Sequence, residues 1–186
     1  MPNEPKLVIL DRDGVINVDS DEYIKDADEW HPLPGSLDAI AALTRAGWTV
    51  AVATNQSGIA RGLFDEYALA RIHATMVDAV EDAGGHIELI AFCPHGPDDD
   101  CDCRKPKPGL LKRIAAELSL SLDGVPVIGD ALRDIQAAEA VGAQAILVLT
   151  GKGETTKGML EGRDIPVHAD LASAVDELLK QGDSGK

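Results

Sequence analysis

Apolar residues in this chain recur in two rhythms that alternate from one end to the other. Short continuous runs have the length and β-branched content of buried strands: Leu7-Val8-Ile9-Leu10, Thr49 to Ala53, Ile87 to Phe92, Val125 to Ile128 and Ala145 to Leu149. Between them, apolar positions three and four apart predict helices. These carry Leu37, Ile40, Ala41 and Thr44; Leu69, Ile72, Met76, Val80 and Ala83; Leu111, Ile114, Ala115 and Leu118; and Ile135, Ala138 and Val141. The punctuation agrees. Ser36, after Pro34-Gly35, is expected to cap the first helix, and Gly47 to follow its end. Gly84-Gly85 closes the second helix, read from Glu66 to Ala83. After Thr155 the pattern predicts a helical turn, a short strand near Val167 and a last helix over Leu171 to Leu179, with residues 182–186 as a disordered tail.

Strands alternating with helices require right-handed crossovers, and these build an α/β fold: a doubly wound, Rossmann-like parallel sheet with helices on both faces. No linker or repeat divides residues 1–186, so one domain is expected. Ligands of such sheets bind beyond the carboxyl ends of the strands. The irregular, acidic stretch 15–33 follows the first strand and is too long for a plain connection, so it is read as functional or disordered.

Composition supports this picture. Hydrophobic residues make up 45% of the chain but aromatics only 3%, so the core rests on Ala, Val, Ile and Leu, as suits a parallel sheet. The net charge of −15 argues against nucleic acid and anionic membranes as partners. No apolar run reaches the ~20 residues of a membrane span. The first residues lack the basic start and apolar stretch of a secretory signal, and a monomeric, cytoplasmic protein is expected.

Candidate chemistry sits where the fold predicts it. Asp11-Arg12-Asp13-Gly14-Val15 ends the first strand with two carboxylates two residues apart. One such group can attack phosphorus; a second can protonate the leaving oxygen and then deprotonate a water. Thr54-Asn55-Gln56-Ser57-Gly58, after the second strand, offers a hydroxyl, amides and N–H groups suited to phosphoryl oxygens. Arg104-Lys105-Pro106-Lys107-Pro108-Gly109 brings cations to a helix entry, which itself favours anions. Gly129-Asp130, then Asp134, supplies hard oxygen for Mg²⁺. All three cysteines cluster: Cys93-Pro94-His95, five residues, then Cys101-Asp102-Cys103. Three thiols and an imidazole in eleven positions are ligands for a closed, tetrahedral, structural Zn²⁺, which would order the polar loop 93–103 that leads into Arg104 and Lys105.

Taken in order, the four phosphate-handling segments resemble the motifs of the haloacid dehalogenase superfamily. By that resemblance Asp11 would be the nucleophile and Asp13 the general acid/base, with Thr54 and Lys105 stabilising the transferring phosphoryl group. Lys107 competes for the last role, but Lys105 directly precedes the first proline of the motif. Mg²⁺ would be held by the carboxylates of Asp11 and Asp130 and the backbone carbonyl of Asp13.

Three longer strings narrow the resemblance: Asp11 to Asn17, Thr54 to Gly62 and Cys101 to Gly109, with Leu149 to Gly153 also similar. They look like the capless, zinc-loop family that hydrolyses D-glycero-D-manno-heptose 1,7-bisphosphate at C7 in lipopolysaccharide core synthesis. The substrate would then be a small phosphorylated sugar, and Asp19, Tyr23, Asn55, Gln56, Ser57 and Arg104 would line its pocket. No large cap domain is implied. Two departures stand out: Ala131 replaces a lysine found in some members, and the His95-to-Cys101 spacing is short. The spacing is also similar to the related histidinol-phosphate phosphatases, the alternative reading. Trp30 and Trp48 are read as packing residues, His73 and His86 as solvated, and Asp98-Asp99-Asp100 as a polar loop face.

Overall fold

The strand runs of the sequence assemble into a six-stranded parallel sheet in the order β3-β2-β1-β4-β5-β6. The structure, a computed structural model, describes residues 6–183. The strands are β1 (Lys6–Leu10), β2 (Trp48–Asn55), β3 (Leu89–Cys93), β4 (Pro126–Gly129), β5 (Gln144–Val148) and β6 (Val167–His168). The helices are α1 (Ser36–Arg45), α2 (Glu66–Asp82), α3 (Gly109–Leu118), α4 (Leu132–Glu139), α5 (Gly153–Lys157) and α6 (Leu171–Asp183).

Alternation along the strands builds two cores, one on each face. Val8, Leu10, Val50, Val52, Ile128, Ile146 and Val148 meet Ile40, Leu43, Ile72, Met76, Val80 and Val175 from α1, α2 and α6. Leu7, Ile9, Ala51, Ala53, Val127 and Leu147 meet Leu110, Leu111, Ile114, Ile135 and Ala138 from α3 and α4. Both faces of the sheet are thus covered, which explains why the strands read as continuous apolar runs. No described helix is long and apolar enough to cross a membrane.

The segment between β1 and α1 is ordered by its own apolar residues. Val15, Ile16, Ile24 and Trp30 are buried in the first core, and a short 3₁₀ turn spans Ala27–Glu29. It packs over the carboxyl end of β1 and adds no separate cap.

Three local expectations change. Ser36 does not cap α1: Gly35, at φ +78°, holds that place, and the buried Ser36 hydroxyl donates to Ile16 O (2.7 Å) and Leu33 O (2.9 Å). The serine therefore ties the β1–α1 segment to the helix. Ile40 and Ala41 are buried as expected and Leu37 packs half-buried against the core, but Ala39 and Leu43, rather than Thr44, complete the buried set. At the other end, Gly182 and Asp183 belong to α6, so helical hydrogen bonding outlasts the final apolar anchor; residues 184–186 of the expected tail lie outside the described residues.

Strand order reverses between β1 and β4, the switch point at which doubly wound sheets open a crevice. The chain ends of these two strands carry Asp11 and Asp130.

Candidate active site

Three carboxylates and one ammonium meet at the switch point. Asp11 leaves β1, Asp130 leaves β4, and Asp134 sits in the first turn of α4. Lys105 reaches in from the loop before α3. Its Nζ lies 3.1 Å from Asp11 Oδ1 and 2.7 Å from Asp134 Oδ1, and donates to Ala53 O at 2.7 Å. Lys107 is elsewhere, donating from the exposed side to Cys101 O.

All four side chains are buried, so their charges act at close quarters with little screening. Burial, then Asp134, raises the Asp11 pKa well above the usual carboxylate range, against the pull of Lys105. Burial and Asp134 likewise push Asp130 up to about 6. Burial would lower Lys105, but Asp11 and Asp134 outweigh it and raise its pKa. The cluster holds three anions against one buried ammonium, and its carboxylate oxygens lie within 4.8 Å of one another. Hard oxygens with excess negative charge fit a magnesium ion. Asp134 is already engaged by Lys105 and by the Ala131 N–H (3.0 Å), which favours Asp11 and Asp130 as ligands.

Two glycines make room for Asp130. A methyl group on Gly14 (φ +83°) or Gly151 (φ +57°) would overlap its carboxylate. The loops after β1 and β5 thus close on Asp130 from both sides, and the Lys152 N–H donates to its Oδ2 at 2.8 Å.

Asp13 faces a cavity of about 180 Å³ beside this cluster. Its Oδ1 accepts from Arg12 Nε (3.0 Å), Arg12 Nη2 (2.8 Å) and Asn17 Nδ2 (2.9 Å), and its Oδ2 from Gln56 Nε2 (3.0 Å). Burial alone would raise its pKa; the Arg12 guanidinium and these hydrogen bonds prevail and hold it below the usual range. Arg12, fully buried, turns Nη1 toward His73 Nε2 at 3.2 Å.

His73 is therefore not solvated. It lies on the inner face of α2, next to Ile72 and with its ring edge-on to Phe92, and burial together with Arg12 lowers its pKa to about 3. Between pH 6.5 and about 3 the unfolded chain binds a proton here that the folded protein does not, so stability falls as pH is lowered through that window. His73→Gln is expected to flatten this limb. Urea melts at pH 7 and pH 5 measure it, and equal acid losses in parent and variant would refute it.

The cavity gathers most residues expected to contact substrate: Asp13, Asp19, Tyr23, Asn55, Gln56, Ser57 and Arg104. Thr54 is buried beneath, its hydroxyl oxygen accepting from Gln56 Nε2 at 2.9 Å. Asn55 also clamps the Lys105 backbone, accepting its N–H (3.0 Å) and donating to its carbonyl (3.1 Å). Sequence reasoning missed Arg12 as the partner of Asp13, His73 as the residue behind Arg12, and Arg61, Arg133 and Lys152 as cavity walls. Arg12 and Arg61 stood inside matched strings, where a signal existed. Lys152 likewise stood inside the similar string Leu149 to Gly153; for Arg133 there was none, because α4 meets the cavity only in the fold. A larger hollow of about 610 Å³, between Lys6, Trp48 and Gln144, lies at the opposite end of the strands and carries no comparable cluster.

At the end of β3 the ligand atoms of Cys93, His95, Cys101 and Cys103 lie within 4.8 Å of one another. Cys93 Sγ is 3.1 Å from Cys103 Sγ and 3.9 Å from Cys101 Sγ, and none of the three forms a disulfide. Metal–sulfur bonds of ~2.3 Å around a tetrahedral ion put sulfurs about 3.8 Å apart; the Cys93–Cys101 pair stands at that spacing and the Cys93–Cys103 pair closer, and the four residues together could hold a metal. Arg104 Nη1 donates to His95 O at 3.2 Å, linking the loop to the cavity.

Comparison with known proteins gives consistent results. A HAD-hydrolase-like family model matches residues 102–174. The D-glycero-beta-D-manno-heptose-1,7-bisphosphate 7-phosphatase of Pseudomonas aeruginosa is 53% identical, over 94% of this chain and 98% of the relative. That of Pseudomonas putida is 56% identical, over 94% and 99%. Among solved structures, the D,D-heptose 1,7-bisphosphate phosphatase of B. bronchiseptica, complexed with magnesium and phosphate, is similar with a TM-score of 0.91 at 52% identity, covering 95% of this chain and 99% of that one.

Proposed function

This chain belongs to the D-glycero-beta-D-manno-heptose-1,7-bisphosphate 7-phosphatase family, and we propose that it removes the C7 phosphate of that sugar in lipopolysaccharide core precursor synthesis. The observation that carries the reading is the buried Asp11–Lys105–Asp134 array with Asp130, next to a polar cavity walled by Asp13.

Asp11 is the nucleophile. The Arg12 N–H (2.8 Å) and Lys105 Nζ (3.1 Å) both hold its Oδ1, which fixes the carboxylate and leaves Oδ2 to attack. The new bond runs from Asp11 to phosphorus while the bond from phosphorus to the sugar oxygen breaks. Asp13 gives its proton to that oxygen. It then takes a proton from water, which attacks phosphorus, releases phosphate and restores Asp11. Asp13 is ionised in the resting cavity; an arriving phosphate dianion opposes Arg12 and makes protonation easier. Lys105 and Thr54 stabilise the transferring oxygens. Asp11, Asp130 and the Asp13 carbonyl would hold Mg²⁺, which when bound offsets charge between carboxylates and phosphate. Cys93, His95, Cys101 and Cys103 would hold a structural Zn²⁺, which when bound would order the loop behind Arg104 and Lys105.

The test is phosphate release, with Mg²⁺, from both anomers of the heptose 1,7-bisphosphate and from histidinol phosphate. The beta anomer named for the relatives is expected to be preferred. A preference for histidinol phosphate would keep the mechanism and replace the substrate.

A further inference from the structure

We infer that Arg133 is a specificity residue that grips the phosphate retained on the sugar, an inference that rests on the bisphosphate reading above. The other cations around the cavity already have partners. Arg12 is on Asp13, Lys105 on Asp11 and Asp134, and Lys152 Nζ lies 3.4 Å from Asp19. Arg104 donates to His95 O, and Arg61 lies over the Tyr23 ring at 5.9 Å. Among the described residues, no hydrogen bond or ion pair holds Arg133, and its Nε is buried with no partner. Burial opposes its charge, but the carboxylates of Asp134, Asp11, Asp130 and Asp19 outweigh burial and raise its pKa; what the guanidinium lacks is an oxygen to accept from its N–H groups.

Its position says what that is. Arg133 stands in the first turn of α4, whose N-terminal N–H groups also favour an anion. It lines the cavity of Asp13, and also an adjoining hollow of about 380 Å³ beside Lys105 and Lys107. Arg104 is the other residue common to both, so two guanidiniums stand where the two spaces join. The phosphate to be cleaved belongs over Asp11 and Lys105, on the buried floor. A sugar seated in this cavity would bring its second phosphate within reach of the cations on the wall, of which Arg104 and Arg133 border both spaces. Planar forks grip phosphate through paired hydrogen bonds, a geometry that lysine lacks. The requirement is sharpened by the chain's net charge of −15, against which a doubly phosphorylated anion needs a local positive site. Ala131, buried and giving only its N–H to Asp134, provides none.

The experiment compares heptose 1,7-bisphosphate with heptose 7-phosphate, which lacks the second phosphate, on the parent enzyme, Arg133→Gln and Arg133→Lys. Arg133→Gln is expected to raise KM for the bisphosphate about ten- to a hundredfold, the scale of lost charge-assisted hydrogen bonds. For the 7-phosphate the expected change is about threefold or less, and Arg133→Lys should fall between. Equal losses on both sugars, or no loss on either, would overturn the assignment. A parent enzyme inactive on both would overturn the substrate reading and this inference together, a result visible before any variant is made.

Discussion

Asp11→Asn is expected to cut phosphate release by a factor on the order of 10⁴ or more while the protein stays folded. The amide is nearly isosteric but cannot form the acyl-phosphate bond, and nothing nearby replaces it. Asp13 is committed to Arg12, Asn17 and Gln56, while Asp134 is tied to Lys105. The same substitution removes one of three crowded carboxylates. Burial and Asp134 already penalise the charged form of Asp11, so its loss relieves repulsion. Lys105 keeps Asp134 and Ala53 O as partners. The thermal midpoint should therefore hold or rise, a stability gain bought with function. Release assays and melting curves on the same preparation decide it: near-parental turnover would remove Asp11 from the nucleophile's place.

Cys101→Ser, or exhaustive chelation, is expected to lower both stability and activity. Clipping Cys93 to Cys103 closes an eleven-residue loop, which by chain entropy is worth about 3 kcal/mol. For a domain of this size that corresponds to a drop of roughly 6–12 °C in thermal midpoint. The kinetic loss has a structural route. The loop runs straight into Arg104, which donates to His95 O, and into Lys105, whose backbone Asn55 clamps. If the cluster holds zinc, its removal would let the segment misplace both cations, and kcat/KM should fall about ten- to a hundredfold. Metal analysis, melting and kinetics together test this. A variant that has lost zinc but keeps parental kcat/KM would show the loop to be structural alone.

Local sequence was a good guide wherever local physics governs. Continuous apolar runs gave five of the strands because both sheet faces are buried, and Gly47 and Gly84 marked helix ends because few other residues adopt their positive φ cheaply. Asp11, Asp13, Asp130 and the three cysteines were legible because each stands at a strand end or within one short loop. The choice of Lys105 over Lys107 came from the motif, in which Lys105 directly precedes the first proline, and not from local physics, since nearby residues of a loop differ only in which way the chain turns them. Tertiary structure turned Lys105 inward to Asp11 and Asp134 and left Lys107 outside. It also buried Ser36 and His73, polar residues that a residue-by-residue reading leaves in water, because each finds its partner 20 or 61 residues away. The sequence by itself determined the layered fold and the chemical groups on offer. Only the packing of β1, β4, α4 and the β5–α5 turn around one crevice decided which charges meet, because pairing in space depends on contacts that sequence neighbours do not share.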